Sequence, residues 1–194
     1  MEPLLAAGLH PQQMLERVQE FAYHIERLGQ ELGLDLTQYQ ADHIALRIND
    51  YDLAVLAHQA WLEHATTLSE ANINGRPIVV MAFNTPIKVG AWSIECLELP
   101  YPAAGKTYPK QDWEHIEFVI PSAKELADEY LHDLLQRLPS FNPSGDCKMK
   151  LSSPKGEGER LANPTIAFKK EGVCIKLHPH SLKRIVESEQ GKGA

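Results

Sequence analysis

Two histidines stand at matched places in two apolar strands, and acids and bases that could work with them stand nearby. In Asp42-His-Ile-Ala-Leu-Arg-Ile48, alternation points Ile44, Leu46 and Ile48 to one face and His43, Ala45 and Arg47 to the other. Trp113-Glu-His-Ile-Glu-Phe-Val-Ile120 has the same design, with Ile116, Phe118 and Ile120 set against His115 and Glu117. Two later strands each place a charged residue between apolar ones: Glu95 between Ile94 and Cys96, and Lys176 between Ile175 and Leu177. If the apolar faces pack beneath helices, His43, Glu95, His115 and Lys176 line one concavity. Polar groups sunk in a sheet need partners, and two imidazoles with a carboxylate are natural ligands for a divalent metal ion. Glu98 is the rival of Glu95, but strict alternation puts it on the opposite face. His178 shares the parity of Lys176 if the strand runs regularly to Pro179. Glu117 and Arg47 are placed to ion-pair across the pocket or to touch a substrate. Cys96 and Cys174 read as small packing residues.

The elements that must position these groups follow from periodicity. From Pro11 to about Gly33, Met14, Leu15, Val18, Phe21, Ala22, Ile25 and Leu28 recur at spacings of three and four, which predicts an amphipathic helix. After the first histidine strand, Asn49-Asp50 offers an N-cap, and Leu53, Leu56, Ala57, Ala60 and Trp61 share a helix face. Asn74-Gly75 is a hairpin turn before Ile78–Phe83, and Ala91–Leu99 is a further strand ended by Pro100. A Pro, Gly, Ala and Lys-rich linker covers about Tyr101 to Lys110, and then the order repeats. Pro121-Ser122 with Glu125 reads as a capping box opening the second helix. Lys148–Leu151, Thr165–Phe168 and Gly172–Leu177 supply the remaining strands, and Lys155-Gly-Glu-Gly is loop composition without the spacing of a phosphate loop. The expectation is an α+β chain: an N-terminal helical arm (1–40), a βαβββ module (41–103), a second βαβββ module (111–180) and a polar tail (181–194), with curved sheets around a pocket.

Composition narrows the function. Nineteen Lys and Arg against 26 Asp and Glu leave a net charge of −7, which repels phosphate backbones and argues against a nucleic-acid binder. No apolar run is long enough to span a membrane, and the N-terminus lacks the basic start and apolar stretch of a secretory signal. Three unpatterned cysteines suit a reducing, cytoplasmic setting better than a disulfide framework.

Paired βαβββ modules, with Asp42-His43-Ile44 and Glu114-His115-Ile116 on first strands and Ile94-Glu95 on a last strand, resemble the vicinal oxygen chelate superfamily. That group includes glyoxalase I, methylmalonyl-CoA epimerase, extradiol dioxygenases and bleomycin-resistance proteins. The helical arm and Cys174-Ile-Lys-Leu-His-Pro-His180 are similar to the YecM family. The resemblance assigns His43, Glu95 and His115 to one divalent metal (Zn, Fe, Mn or Ni). Four-ligand members carry a second Glu where this chain has Lys176, so it implies a triad in place of a four-ligand site. It also implies a small oxygen-rich substrate and isomerase, lyase or oxygenase chemistry, with Glu117 or a neutral Lys176 moving a proton. For Lys176, burial and a nearby cation favour the neutral amine, whereas pairing with Glu117 favours the ammonium. The alternative is a non-catalytic small-molecule-binding module, since resistance-type members sequester ligands without metal, usually as homodimers.

Overall fold

The fold begins with apolar residues that recur at the helical period. The computed structural model describes residues 1–73, 75–153 and 161–189. The arm forms three helices, α1 (Glu2–Ala6), α2 (Pro11–Glu16) and α3 (Val18–Glu31), where the sequence suggests a single one from Pro11. The break lies at Arg17, whose backbone leaves helical geometry and whose guanidinium binds the Gly8 and Gln13 carbonyls and Asp112 instead. Val18, Phe21, Ala22, Ile25 and Leu28 of α3 are buried. At Gly33, φ is +70° and a Cβ would stand 1.8 Å from the Ser140 carbonyl oxygen, so only glycine lets the chain turn there.

The first module is β1 (Gln40–Arg47), α4 (Tyr51–Trp61), β2 (Ala65–Ile73), β3 (Arg76–Val89) and β4 (Trp92–Pro100). The second is β5 (Asp112–Val119), α5 (Ala127–Arg137), β6 (Lys148–Ser152), β7 (Thr165–Lys170) and β8 (Val173–His178), followed by α6 (Leu182–Glu189). Asp50 caps α4 by accepting from the Leu53 N–H at 2.8 Å. β2 and β3 pair from Ile73 opposite Arg76, with Gly75 at φ +77°; Asn74 of the expected turn lies outside the described residues, as does Lys155-Gly-Glu-Gly. The expected capping box at Ser122 does not form. Its hydroxyl accepts from Lys124 N and donates to Asp133, and α5 starts later, at Ala127.

All eight strands join one sheet in the order β2-β3-β4-β1-β5-β8-β7-β6. Within each module the first and last strands run parallel (β1 with β4, β5 with β8), and β1 joins the modules by pairing antiparallel with β5. The result is the α+β architecture of two βαβββ modules in one curved sheet. The apolar face, with Ile44, Leu46, Leu97, Ile116, Phe118, Ile175 and Leu177, joins the main core with residues of α1 to α5. No helix among the described residues is long and apolar enough to cross a membrane.

Three irregularities in this sheet decide what faces the other way. In β1 the core residues Ala41 and Ile44 are three apart, and the register with β5 slips between them. In β5 the core residues Trp113 and Ile116 are three apart, at the slip between Ala45 and Leu46 of the partner strand. In β4 the spacing of three falls between Ile94 and Leu97, where β3 runs irregularly from Ala82 to Ile87. Each bulge sets two successive residues off the core face and reverses the alternation beyond it.

A candidate metal centre

The polar face of the four central strands gathers the groups of interest. His43 of β1 stands beside Glu117 of β5, Ala45 beside both His115 and Glu98, and Glu117 beside Lys176. His43 Nε2 lies 3.5 Å from Glu98 Oε2 and 3.6 Å from Glu117 Oε1. His115 Nε2 lies 3.4 Å from Glu117 Oε1 and 4.0 Å from Glu98 Oε1. One donor atom from each of His43, Glu98, His115 and Glu117 falls within 4.8 Å of all the others. Donors that share an ion at about 2.0–2.2 Å stand roughly 3–4 Å apart, a spacing that the four histidine–carboxylate distances match. The histidines are each 1% exposed, and neither Nε2 has a hydrogen-bond partner among the described residues. A buried ring nitrogen without a partner is costly, and a cation would satisfy both.

The bulges also supply what holds the rings. Asp42 precedes His43 and its Oδ2 lies 3.0 Å from His43 Nδ1; Glu114 precedes His115 and its Oε2 lies 3.1 Å from His115 Nδ1. A carboxylate on Nδ1 keeps the proton there and aims the Nε2 lone pair outward, the arrangement that backs metal-bound histidines. Each backing acid is itself fixed. Asp42 accepts the Leu182 N–H of α6 at 2.7 Å, and Glu114 accepts from Arg47.

Charge in the cluster favours a cation. Burial alone would lower the His43 pKa, but Glu117, Asp42 and Glu98 beside it outweigh that and hold it well above the usual imidazole value. A proton and a metal ion therefore compete for the same ring. Burial would raise both acids, yet His43 and Lys176 pull Glu98 down to about 2, and Lys176 and His43 hold Glu117 well below the carboxylate range.

A model of the family described as "YecM protein" matches residues 10–189. The chain belongs to the YecM family. It is 39% identical to protein YecM of Escherichia coli K12 over 174 residues, 88% of this chain and 89% of that protein. It is 36% identical to an uncharacterized protein of Haemophilus influenzae over 170 residues, 84% of this chain and 87% of that one. A solved structural-genomics protein, EC4020, superposes with a TM-score of 0.78 at 34% identity, covering 92% of each chain.

This YecM-family chain brings His43, His115 and Glu117 together as the sequence suggests, but Glu95 does not join them. Glu95 sits within the β4 bulge, half exposed, and pairs with Lys183 of α6. The same bulge turns Glu98, which strict alternation assigns to the opposite face, toward the histidines. A usable signal was present: Cys96-Leu-Glu98-Leu matches Cys174-Ile-Lys176-Leu, and the two cysteines pair with the two histidines. Aligned on cysteine, the partner of Lys176 is Glu98. Lys176 itself donates to Glu117 Oε1 at 2.7 Å. Burial would lower its pKa, but Glu117 and Glu98 raise it, so it stays an ammonium; of the two readings of Lys176, pairing with Glu117 is the one the structure has. Arg47 does not reach across to Glu117, because it is engaged by Glu114 and by the Tyr108 ring, 4.1 Å away. His178 is outside the four donors and lies behind them, Nδ1 3.2 Å from Glu117 Oε2 and Nε2 3.4 Å from Asp42 Oδ2.

Proposed function

We propose that this protein binds one divalent cation through His43, Glu98, His115 and Glu117 and acts as a metal-dependent isomerase or lyase on a small oxygen-rich substrate. The supporting observation is the pair of buried, unpartnered Nε2 atoms that converge with two carboxylates, each ring backed by its own acid. Two imidazoles and two carboxylates suit Zn, Fe, Mn or Ni. His43, Glu98, His115 and Glu117 would hold the ion, and it would supply Lewis-acid polarisation to a substrate that chelates through two adjacent oxygens, the chemistry of an isomerase or lyase.

The chain's own residues divide the remaining work. Asp42 and Glu114 orient the rings. Lys176 holds Glu117 at Oε1, and the His178 ring packs beside Oε2. The Lys176 side chain is 26% exposed, more than Glu98 at 15% or Glu117 at 8%, so its ammonium is the donor of this group that an incoming oxygen meets at the solvent side. Protein purified without chelators and freed of any histidine tag should carry a stoichiometric transition metal. His43→Ala and His115→Ala should each remove one of four ligands and lower the content to a minor fraction. Elemental analysis showing undiminished metal in both variants overturns the assignment.

A further inference from the structure

A cavity of about 280 Å³ opens beside the cluster, with Arg47, Tyr108, Lys110, Glu114 and Lys169 in its walls. Arg47 lies against the Tyr108 ring, its guanidinium carbon 4.1 Å from the centroid, and one of its Nη atoms donates to Glu114. The Arg47 side chain is 9% exposed, and its Nε is buried with no hydrogen-bond partner among the described residues. An unmatched N–H on a buried cation is costly, so the atom marks a place where an acceptor belongs. Lys169 Nζ stands 5.9 Å from the same ring. Arg76 is within electrostatic reach of Arg47, Tyr108, Glu98 and Glu114. Lys110 is paired with Asp112. The walls thus carry three cations, Arg47, Lys110 and Lys169, against a single carboxylate, Glu114.

Arg47 is coupled to the four-donor cluster by one residue. Glu114 Oε2 accepts from Arg47 and faces His115 Nδ1. Along β1, Arg47 is two residues beyond Ala45, the sheet partner of His115, which is roughly 7 Å of extended chain. We infer that this cavity takes the carboxylate of the substrate, with Arg47 as the recognition residue and Tyr108 as the flat wall. The substrate class is then a small oxygen-rich carboxylic acid, its acid group on Arg47 and its adjacent oxygens toward His43, Glu98, His115 and Glu117. The second half rests on the metal-centre proposal; the carboxylate subsite does not. A planar fork against an aromatic face matches a planar carboxylate. Among the described residues no helix supplies a wall of this cavity, so they do not offer it the backbone amides that usually hold phosphate at a helix N-terminus.

The test is calorimetric titration of the full-length, metal-free protein with propionate, its neutral amide propionamide, and inorganic phosphate. Propionate should bind measurably, propionamide should not, and phosphate should bind at least about tenfold more weakly than propionate. Arg47→Gln should lose about tenfold or more in propionate affinity, and Lys169→Gln, at an exposed position, about threefold. Equal binding of propionate and propionamide, or wild-type affinity in Arg47→Gln, overturns the subsite. Phosphate binding more tightly than propionate overturns the carboxylate class. Should Arg47→Gln fail to fold, Lys169→Gln and Tyr108→Leu decide the matter, and unchanged propionate affinity in both overturns the proposal. Mn²⁺ is titrated in a separate arm. Loss of Mn²⁺ uptake with propionate binding intact sinks the metal centre alone, and the converse sinks the subsite alone.

Discussion

In the first module β1 carries Ala45 two residues after its histidine and β4 carries Glu98 alongside; in the second module the corresponding residues are Glu117 on β5 and Lys176 on β8. The histidines, the acids before them and the cysteines opposite them are matched, so the modules differ mainly in where the carboxylate stands. In the second it has moved one strand across, and the vacated place holds an ammonium that clamps it at 2.7 Å. The two acids are therefore unequal. Glu117 is clamped directly by Lys176 at 2.7 Å, whereas Glu98 has the two histidines within 4.0 Å and feels Lys176 only through space. A cluster can keep two imidazoles and two carboxylates while its repeat changes a ligand into a cation, provided the neighbouring strand supplies the acid.

The largest expected effect comes from undoing that transposition. On the proposed metal site, Glu117→Ala takes away one of the four donors and leaves the Lys176 ammonium facing the added ion, so Mn²⁺ affinity should fall by more than about 100-fold, beyond the 10–100-fold typical of an outer-shell loss. Adding Lys176→Glu to Glu117→Ala gives the second module the pattern of the first, and it should recover at least about tenfold of that loss. Calorimetric titration of the two variants measures this. A double variant no better than the single one breaks the equivalence of Glu98 and Lys176.

A smaller difference is expected between the two backing acids. Glu114→Ala leaves Arg47 buried without its carboxylate and should cost about 3 kcal/mol of stability. Asp42→Ala removes an acceptor for the Leu182 N–H at the start of α6 and should cost about 1–2 kcal/mol. Urea denaturation of the metal-free proteins gives both values. Equal costs would mean that the Arg47 pair is not the stronger tie.

Much of this molecule was legible in the residues because period and burial agree over most of its length. The two βαβββ orders, the buried stripe of α3 and the capped start of α4 follow from apolar spacing and one Asp. The site was legible where alternation runs on regularly from the residue in question: beyond the bulges at Asp42 and Glu114, His43, His115 and Glu117 stand opposite Ile44, Ile116 and Phe118 as alternation sends them. It failed at β4, because a bulge changes parity without leaving a mark in local composition. Alternation favours Glu95 over Glu98; the pairing with β1 and β3 reverses that choice, and the match of Cys96-Leu-Glu98-Leu to Cys174-Ile-Lys176-Leu is the one trace of it in the residues. The break at Arg17 was hidden for a similar reason, since its cause is a long-range tie to Asp112. At Ser122 the sequence offered a sound capping box, but the hydroxyl engages Asp133 of α5 instead.

Glu95→Gln should do almost nothing, which makes it the sharpest check on the β4 bulge. Its carboxylate is 54% exposed and pairs with Lys183, itself 49% exposed, and such surface pairs contribute about 0–1 kcal/mol. Stability should change by no more than about 0.5 kcal/mol, and Mn²⁺ affinity by less than about twofold, because the residue stands outside the group of four donors. Glu98→Gln, three residues along the same strand, should cost Mn²⁺ affinity about 100-fold. The pair isolates direction from chemistry, since both substitutions neutralise one glutamate on β4. Were Glu95→Gln the variant that loses metal, regular alternation would describe β4 better than the bulge does, and the first module would present its acid from the other side of Cys96.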